Sequence, residues 1–186
     1  RNVEAILKEI DRLGEISRAF SRFGSPVVGT PLEQVDVAQV IGEVLALYRD
    51  ADGGATFRAE LPSDGLPRAI ARTGELKEVL VNLLENAREA VDGDGRVVVA
   101  AGVGDAPDQL WIAVADNGVG IPEEQLPSIF DPHFSTRSSG TGLGLAIVRR
   151  MVESWGGEIT AQSEVGVGTR FELRIRAAPE ENCENN

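Results

Sequence analysis

The run SSGTGLGLAIVRR, Ser138 to Arg150, decides which nucleotide-type folds are open to this chain. Glycines at 140, 142 and 144 make its first half a loop, and the apolar spacing from Leu145 onward reads as the start of a helix. A glycine loop that opens into a helix suits an anion, because backbone N–H groups and the positive end of the helix dipole face it. No Gly-Lys-Ser or Gly-Lys-Thr follows, which excludes the P-loop. No clean strand leads into the run, which argues against the dinucleotide fingerprint and its parallel sheet. Any phosphate site must therefore be completed by other parts of the chain.

Working outward, the helix that starts after Gly142 is expected to continue to Trp155, and GEITAQSE and GTRFELRIR to form a closing hairpin. Upstream of the run lies a loop-rich stretch, Asn117 to Thr141. Before it, RVVVAAGV and QLWIAVAD form a strand pair around a turn at Gly104 to Asp108. The strongest helix is TGELKEVLVNLLENAREAV, Thr73 to Val91, with Thr73 as its expected N-cap and Glu75 in its first turn. ATFRAEL (55–61) and RAIA (68–71) read as strands, Val37 to Arg49 as a helix, and Glu33 to Val35 as a short strand. GSPVVGTP, Gly24 to Pro31, breaks the pattern as a linker. Residues 2–23 read as one helix whose stripe, Val3, Ile6, Ile10, Leu13 and Phe20, needs a partner in a bundle or on its own domain. The tail from Pro179 is polar, and disorder is expected there. The fold class is α+β: a two-layer sandwich in which one mixed sheet is covered by helices on one face, preceded by one long bundle-type helix.

Composition narrows the partners. The chain has 186 residues, 18 Lys and Arg against 30 Asp and Glu, and a net charge of −12. Such an acidic chain is a poor binder of nucleic acid or anionic membrane. It contains one cysteine, Cys183, so neither an internal disulfide nor a cysteine-rich metal site can form, and a reducing compartment is the simpler expectation. No signal peptide and no membrane-spanning run is visible. The first residue is Arg, and the sequence is read as a fragment of a longer protein.

Two segments carry residues that packing alone does not explain. In the strongest helix, Leu76, Val79, Leu80, Leu83, Leu84, Ala87 and Val91 form the apolar stripe, while Asn82 and Asn86 share another face. Asparagine is a mediocre helix former, so two of them mid-helix cost stability. They are either a solvated polar face or amide oxygens offered to a hard cation such as Mg²⁺. The second segment is VADNGVGIP. Asp116 ends a buried-looking strand, and its carboxylate accepts hydrogen bonds only, which suits an exocyclic amine; a simple turn at Asn117-Gly118 is the plainer alternative. Gly118 and Gly120 clear side chains from a surface that something approaches closely.

Taken together, LVNLLENAREA, DNGVGIP, IFDPHFSTR, GTGLGLAIV and GVGTRFEL resemble, in this order, the asparagine box, first glycine box, phenylalanine box, second glycine box and final Gly-Thr element of sensor histidine kinases. That superfamily is shared with gyrase and the MutL repair protein, and its nucleotide-binding domain has the Bergerat fold. The resemblance covers roughly 32–177. SRFGSP and VDVAQVIGEVL resemble the second helix of the kinase dimerisation and phosphotransfer domain and its junction, nearest to nitrogen-regulation-type kinases. The implied division is a dimerisation helix at 1–24, a linker at 25–31, an ATP-binding catalytic domain at 32–178 and a tail at 179–186.

The resemblance implies roles for matching positions. Asn86 would hold Mg²⁺, and Asn82 would face the phosphates. Asp116 would accept from the adenine amine, with Gly118, Gly120 and Ile121 along the base and Thr169 supporting that contact. Phe130 and Phe134 would anchor a lid, and Arg137 would be the lid's phosphate contact. Gly140, Thr141, Gly142, Leu143, Gly144 and Leu145 would cradle the polyphosphate. Asn82 stands where ATP-hydrolysing members carry a water-activating Glu, and an amide is no general base at neutral pH. Glu85 and Glu89 lie nearby but not at the matching position.

The sequence holds one histidine, His133, in the phenylalanine box. It is read as a lid residue rather than as the phosphoacceptor, so the acceptor histidine is expected outside this chain. The implied activity is transfer of the γ-phosphoryl group of ATP to that histidine and relay to a response regulator, in a cytoplasmic, homodimeric setting. A hydrolytic ATPase, a serine kinase and an inert nucleotide-binding or dimerisation module are the alternatives.

Overall fold

The computed structural model describes residues 31–48, 55–106, 108–135 and 142–179. The expected leading helix, the linker but for Pro31, and the tail but for Pro179 lie outside the described residues, as do Arg137, Gly140 and Thr141.

The described chain runs β1 (Glu33–Val35), α1 (Val37–Ala46), β2 (Thr56–Glu60), β3 (Ala69–Ala71), α2 (Thr73–Ala90), β4 (Arg96–Val103), β5 (Gln109–Asp116), a 3-10 turn (Glu123–Ser128), α3 (Gly144–Ser154), β6 (Glu158–Glu164) and β7 (Gly168–Arg176). The main sheet has the order β2-β4-β5-β7-β6. β2 and β4 are parallel, and every other pair in this sheet is antiparallel.

Alternation along the strands sorts the two faces of the sheet. Val97 and Val99 of β4, Leu110, Ile112 and Val114 of β5, and Phe171, Leu173 and Ile175 of β7 are buried. They meet Leu76, Val79, Leu80, Leu83, Leu84 and Ala87 of α2 and Val148 and Val152 of α3 in one core. Each large apolar side chain buried this way contributes about 1.5–3 kcal/mol. The opposite face is mixed: beside Val98, Ala100, Trp111 and Ala113 it carries a charged cluster in which Glu172 pairs with Arg170 at 2.9 Å and Arg174 at 3.1 Å, and the Arg170 guanidinium lies 5.4 Å from the centre of the Trp111 ring. Among the described residues, helices cover one face of the main sheet only, as the sequence predicts.

Two expectations are corrected. β1 and β3 do not join the main sheet; they pair antiparallel as a separate two-stranded sheet, tied to it through a bridge between Ala69 and Ala177. Thr73 is not the N-cap of α2. The helix begins at Thr73 with Arg72 in the cap position and no side-chain cap bond. The Thr73 hydroxyl and N–H both donate to Glu33 of β1, at 2.6 and 3.1 Å, so a carboxylate from another element satisfies this helix end. Within the loop-rich stretch from Asn117, Glu123–Ser128 winds into a 3-10 turn. At α1, Asp36 caps the helix by accepting from the Gln39 N–H at 2.9 Å, a local motif.

A clamp fixes α2 against α3. The fully buried Trp155 donates its indole N–H to Glu75 at 2.7 Å. Arg72 bonds the same carboxylate oxygen at 3.0 Å and the Ser154 hydroxyl at 3.1 Å. The N-terminus of α2 is thereby pinned to the C-terminus of α3.

Candidate functional site

On α2, Asn82 donates its side-chain N–H to the Glu78 carbonyl at 2.8 Å. That back-bond spends the nitrogen on its own helix and turns the oxygen outward. The oxygen faces the first residue of α3: a Cβ built on Gly144 would lie 3.1 Å from Asn82 Oδ1. Asn86, one turn further on, is half-buried on the same side of α2. Glu85, between them, is engaged elsewhere. It accepts from the Tyr48 hydroxyl at 2.9 Å and pairs with Arg88 at 2.7 Å. Burial, and then the Glu85 carboxylate, push the Tyr48 hydroxyl above its usual range, and Glu85 raises Arg88 as well. Neither asparagine has a carboxylate base put in its place.

The start of α3 has no side-chain cap bond. Leu143 occupies the cap position without a side-chain cap bond and is buried, while Leu145 packs partly against the core. The first N–H groups of the helix thus have no side-chain acceptor at their cap. Just upstream, the His133 N–H donates to the Gly142 carbonyl at 2.9 Å. Gly142 has φ 64°, and a Cβ there would lie 2.6 Å from the His133 carbonyl carbon, so only glycine fits this contact. His133 is exposed with φ 68°. Phe130 stands edge-on to Phe171 at 6.3 Å and lies under the Arg149 guanidinium at 5.9 Å; Phe134 packs against the same core. Both phenylalanines thus root their segment in the sheet.

The third part of the site is the end of the sheet. Asp116 closes β5 and accepts from the Gly118 N–H at 2.8 Å. Register places Asp116 opposite Thr169 of β7, and Thr169 opposite Ser163 of β6. The three residues form one row on the helix-covered face, continuing the rank of Val114, Phe171 and their neighbours. Thr169 is buried, and its hydroxyl lies 2.9 Å from that of Ser163. The Ile121 N–H donates to Ser163 at 2.7 Å, which fastens the DNGVGIP loop to the edge strand.

The glycines of that loop have a reason the sequence reading missed. A Cβ on Gly118 would strike the Ala90 carbonyl at the end of α2, and one on Gly120 would strike the Glu164 carbonyl of β6. Val119, between them, donates to Ala90 O at 3.0 Å and accepts from the Gly166 N–H at 2.9 Å. What approaches these glycines closely is the chain's own backbone. Ser163 was missed altogether, because a serine in an edge strand carries no signal until the register is known.

Asn82 and Asn86 thus fall on α2, Asp116 at the end of β5 with Gly118, Gly120 and Ile121 in the loop after it, Phe130 just past the 3-10 turn, Gly142, Leu143, Gly144 and Leu145 at the start of α3, and Thr169 at the start of β7. Among the described residues no group of three or more His, Cys, Asp or Glu side chains could hold a metal ion. A cation here would need ligands from a bound phosphate beside an amide oxygen, and the Asn82–Asn86 face offers that chemistry. A separate groove lined by Gln34, Asp64, Leu66, Arg68 and Pro179 lies at the other end of β7 and touches none of these residues. Among the described residues no helix is long and apolar enough to cross a membrane.

Residues 72–179 match the family described as histidine kinase-, DNA gyrase B- and HSP90-like ATPases. The sensor histidine kinase ZraS of Klebsiella oxytoca is 38% identical over 166 residues, covering 88% of this chain and 35% of ZraS. The nitrogen regulation protein NtrY of Azorhizobium caulinodans is 32% identical over 186 residues, covering 94% of this chain and 23% of NtrY. The chain thus spans about a third or less of the length of these relatives. Among solved structures, the nucleotide-free catalytic domain of the histidine kinase ThkA superposes with a TM-score of 0.71 at 31% identity, covering 81% of this chain and 99% of that one. Full-length ShkA in complex with AMPPNP gives 0.79 at 28% identity, covering 92% of this chain and 36% of ShkA.

Proposed function

The chain belongs to the histidine kinase-, DNA gyrase B- and HSP90-like ATPase family, and from that premise we propose that it binds ATP–Mg²⁺ and presents the γ-phosphoryl group to a histidine that these 186 residues do not contain, as the catalytic domain of a sensor histidine kinase. The observation that carries this reading is the meeting of Asn82 with the first residue of α3, Gly144, beside the Asp116 end of the sheet.

Each residue then has a physical task. The Asp116 carboxylate accepts from the exocyclic amine of adenine. Gly118 and Gly120 hold the base-side loop by letting α2 and β6 close on it. The N–H groups at Gly144 and Leu145 face the polyphosphate, where the helix dipole favours negative charge. This local positive end matters because the whole chain carries −12 and would otherwise repel a nucleotide. Asn82, its nitrogen held by Glu78, presents a fixed oxygen to the phosphate region. Asn86 supplies a neutral oxygen ligand for Mg²⁺. Bound there, Mg²⁺ would neutralise part of the negative charge of the polyphosphate.

Phosphoryl transfer leaves little covalent work to the protein, so positioning and charge stabilisation suffice. The residue one turn before the metal asparagine decides the acceptor. A carboxylate there could activate water, whereas Asn82 cannot, and Glu85 is held by Tyr48 and Arg88. This favours transfer to a protein nucleophile over hydrolysis. The histidine kinase ThkA has been solved in complex with the response regulator protein TrrA, and that structure superposes on this chain with a TM-score of 0.78 at 28% identity. Relay to a receiver domain, in a dimeric protein with its kinase part in the cytoplasm, follows as part of the same proposal. Labelling the full protein with γ-labelled ATP tests it. The label should appear on the protein as acid-labile, alkali-stable phosphohistidine. Steady release of inorganic phosphate without a phosphoprotein would instead identify a hydrolase.

A further inference from the structure

Ser163 makes three close polar contacts. Its hydroxyl oxygen receives the Ile121 N–H at 2.7 Å, lies 2.8 Å from the Gly168 carbonyl, and lies 2.9 Å from the Thr169 hydroxyl. A serine hydroxyl has one proton and two lone pairs. A carbonyl only accepts, so the proton of Ser163 goes to Gly168 O. The Ile121 N–H takes one lone pair. The remaining lone pair can satisfy Thr169 in one way only, by accepting the threonine's proton. All three contacts are hydrogen bonds at once only when Thr169 donates to Ser163.

Thr169 then has no proton left for anything else, and what it offers is lone pairs. Its neighbour across the sheet, Asp116, is likewise an acceptor. From this, we infer that Ser163 is a specificity-determining positioning residue: by consuming the Thr169 proton it makes the Asp116–Thr169 pair acceptor-only, so that beside the base's sixth position an amino group meets acceptors while an oxo group meets lone pairs, and the site takes a 6-amino purine over a 6-oxo purine. This inference rests on the nucleotide reading above and adds to it the residue that sets the polarity of the base site. An unconstrained threonine could turn its proton toward an oxo group and tolerate either base. Burial of Thr169 makes the constraint effective, since little solvent is available to trade partners with it. Ser163 itself sits one strand beyond Thr169, at the edge of the sheet, and acts through it.

The test is calorimetric binding of ADP and inosine diphosphate, each with Mg²⁺, to the parent chain and to variants. These two ligands differ in the amino or oxo group at the base's sixth position and in the proton that accompanies it. The parent should prefer ADP. Ser163→Ala should narrow the ADP-to-inosine-diphosphate affinity ratio about tenfold, mostly by tighter binding of inosine diphosphate. Ser163→Thr should restore the parent ratio. Ser163→Cys keeps the volume with a weak donor and should behave as Ser163→Ala, which covers the case in which the alanine variant folds poorly. In a Thr169→Val background, Ser163→Ala should leave the ratio unchanged, because no threonine proton remains to redirect. A parent that prefers ADP and a Ser163→Ala variant with the parent ratio would overturn the inference while leaving the nucleotide reading intact. An equal narrowing with and without Thr169 would also overturn it, since Ser163 would then act by structure alone. A parent that binds neither ligand overturns the nucleotide reading, and this inference with it.

Discussion

Asn82 on α2 and Gly144 at the start of α3 face each other so closely that a single methyl group at Gly144 would stand 3.1 Å from the asparagine's amide oxygen. Two elements far apart in sequence thus meet at the point where phosphate chemistry is proposed. Gly144→Ala should separate function from stability. Alanine is the better helix residue, by about 1 kcal/mol in a helix interior and less at this end. The melting temperature should therefore hold or rise slightly while ATP–Mg²⁺ affinity falls several-fold, because Asn82 must move. Thermal melts and calorimetry on the same preparation check both halves.

Asn86→Ala should remove the Mg²⁺-dependent part of nucleotide affinity and leave the metal-free part. Binding measured with Mg²⁺ and with a chelator should become equal in the variant. If the variant keeps the parent's Mg²⁺ dependence, Asn86 is not the ligand.

Asp116→Asn should weaken adenine nucleotides by about 1.5–3 kcal/mol, the range for a hydrogen bond to a charged group. The loss should be seen for ATP and for adenosine alone, since it acts on the base and not on the phosphates. An effect confined to ATP would place Asp116 at the wrong end of the ligand.

Gly120→Ala should be a stability variant. The residue has φ 72°, and its Cβ would meet the Glu164 carbonyl. Strained backbone of this kind costs about 1–3 kcal/mol, read as a lower denaturant midpoint. Gly74, with open space around its Cβ position, should accept alanine without that loss and serves as the control.

Acid should weaken the tie between β1 and α2. The Thr73 hydroxyl first, and its N–H second, hold the Glu33 carboxyl below the usual glutamate range. A folded-state pKa below the unfolded one means the stabilisation is present above the unfolded value, about 4.3, and is lost as pH falls through the folded value. The melting difference between the parent and Glu33→Gln should be constant near neutral pH and shrink below about pH 4. A difference that stays the same down to pH 3 would show that the charge of Glu33 is not what matters.

Legibility in the sequence followed the range of the signal. The long helix was plain because its apolar stripe repeats over five turns of one segment, and it was found at Thr73–Ala90. β4, β5 and β7 were plain because alternation is local. Sheet partnership was not, so β3 could not be told to pair with β1 rather than with the main sheet. The cap of α2 was misassigned to Thr73 for the same reason: its acceptor, Glu33, comes from 40 residues away. At the site, the five motifs and their order were legible. The physical basis of Gly118 and Gly120 was not, because the Ala90 and Glu164 carbonyls that require them are placed by the fold. Ser163 is the extreme case, a residue whose role exists only once β6 is set in register against β7.

The central claim is a nucleotide site assembled from Asn82, Asn86, Asp116 and the start of α3. Calorimetric titration of the chain with a non-hydrolysable ATP analogue, with and without Mg²⁺, tests it most directly. The account predicts saturable one-to-one binding that tightens with Mg²⁺ in the parent and loses that tightening in Asn86→Ala. No heat of binding from the folded parent at high concentration, or Mg²⁺-dependent binding unchanged by Asn86→Ala and Asp116→Asn together, would contradict it.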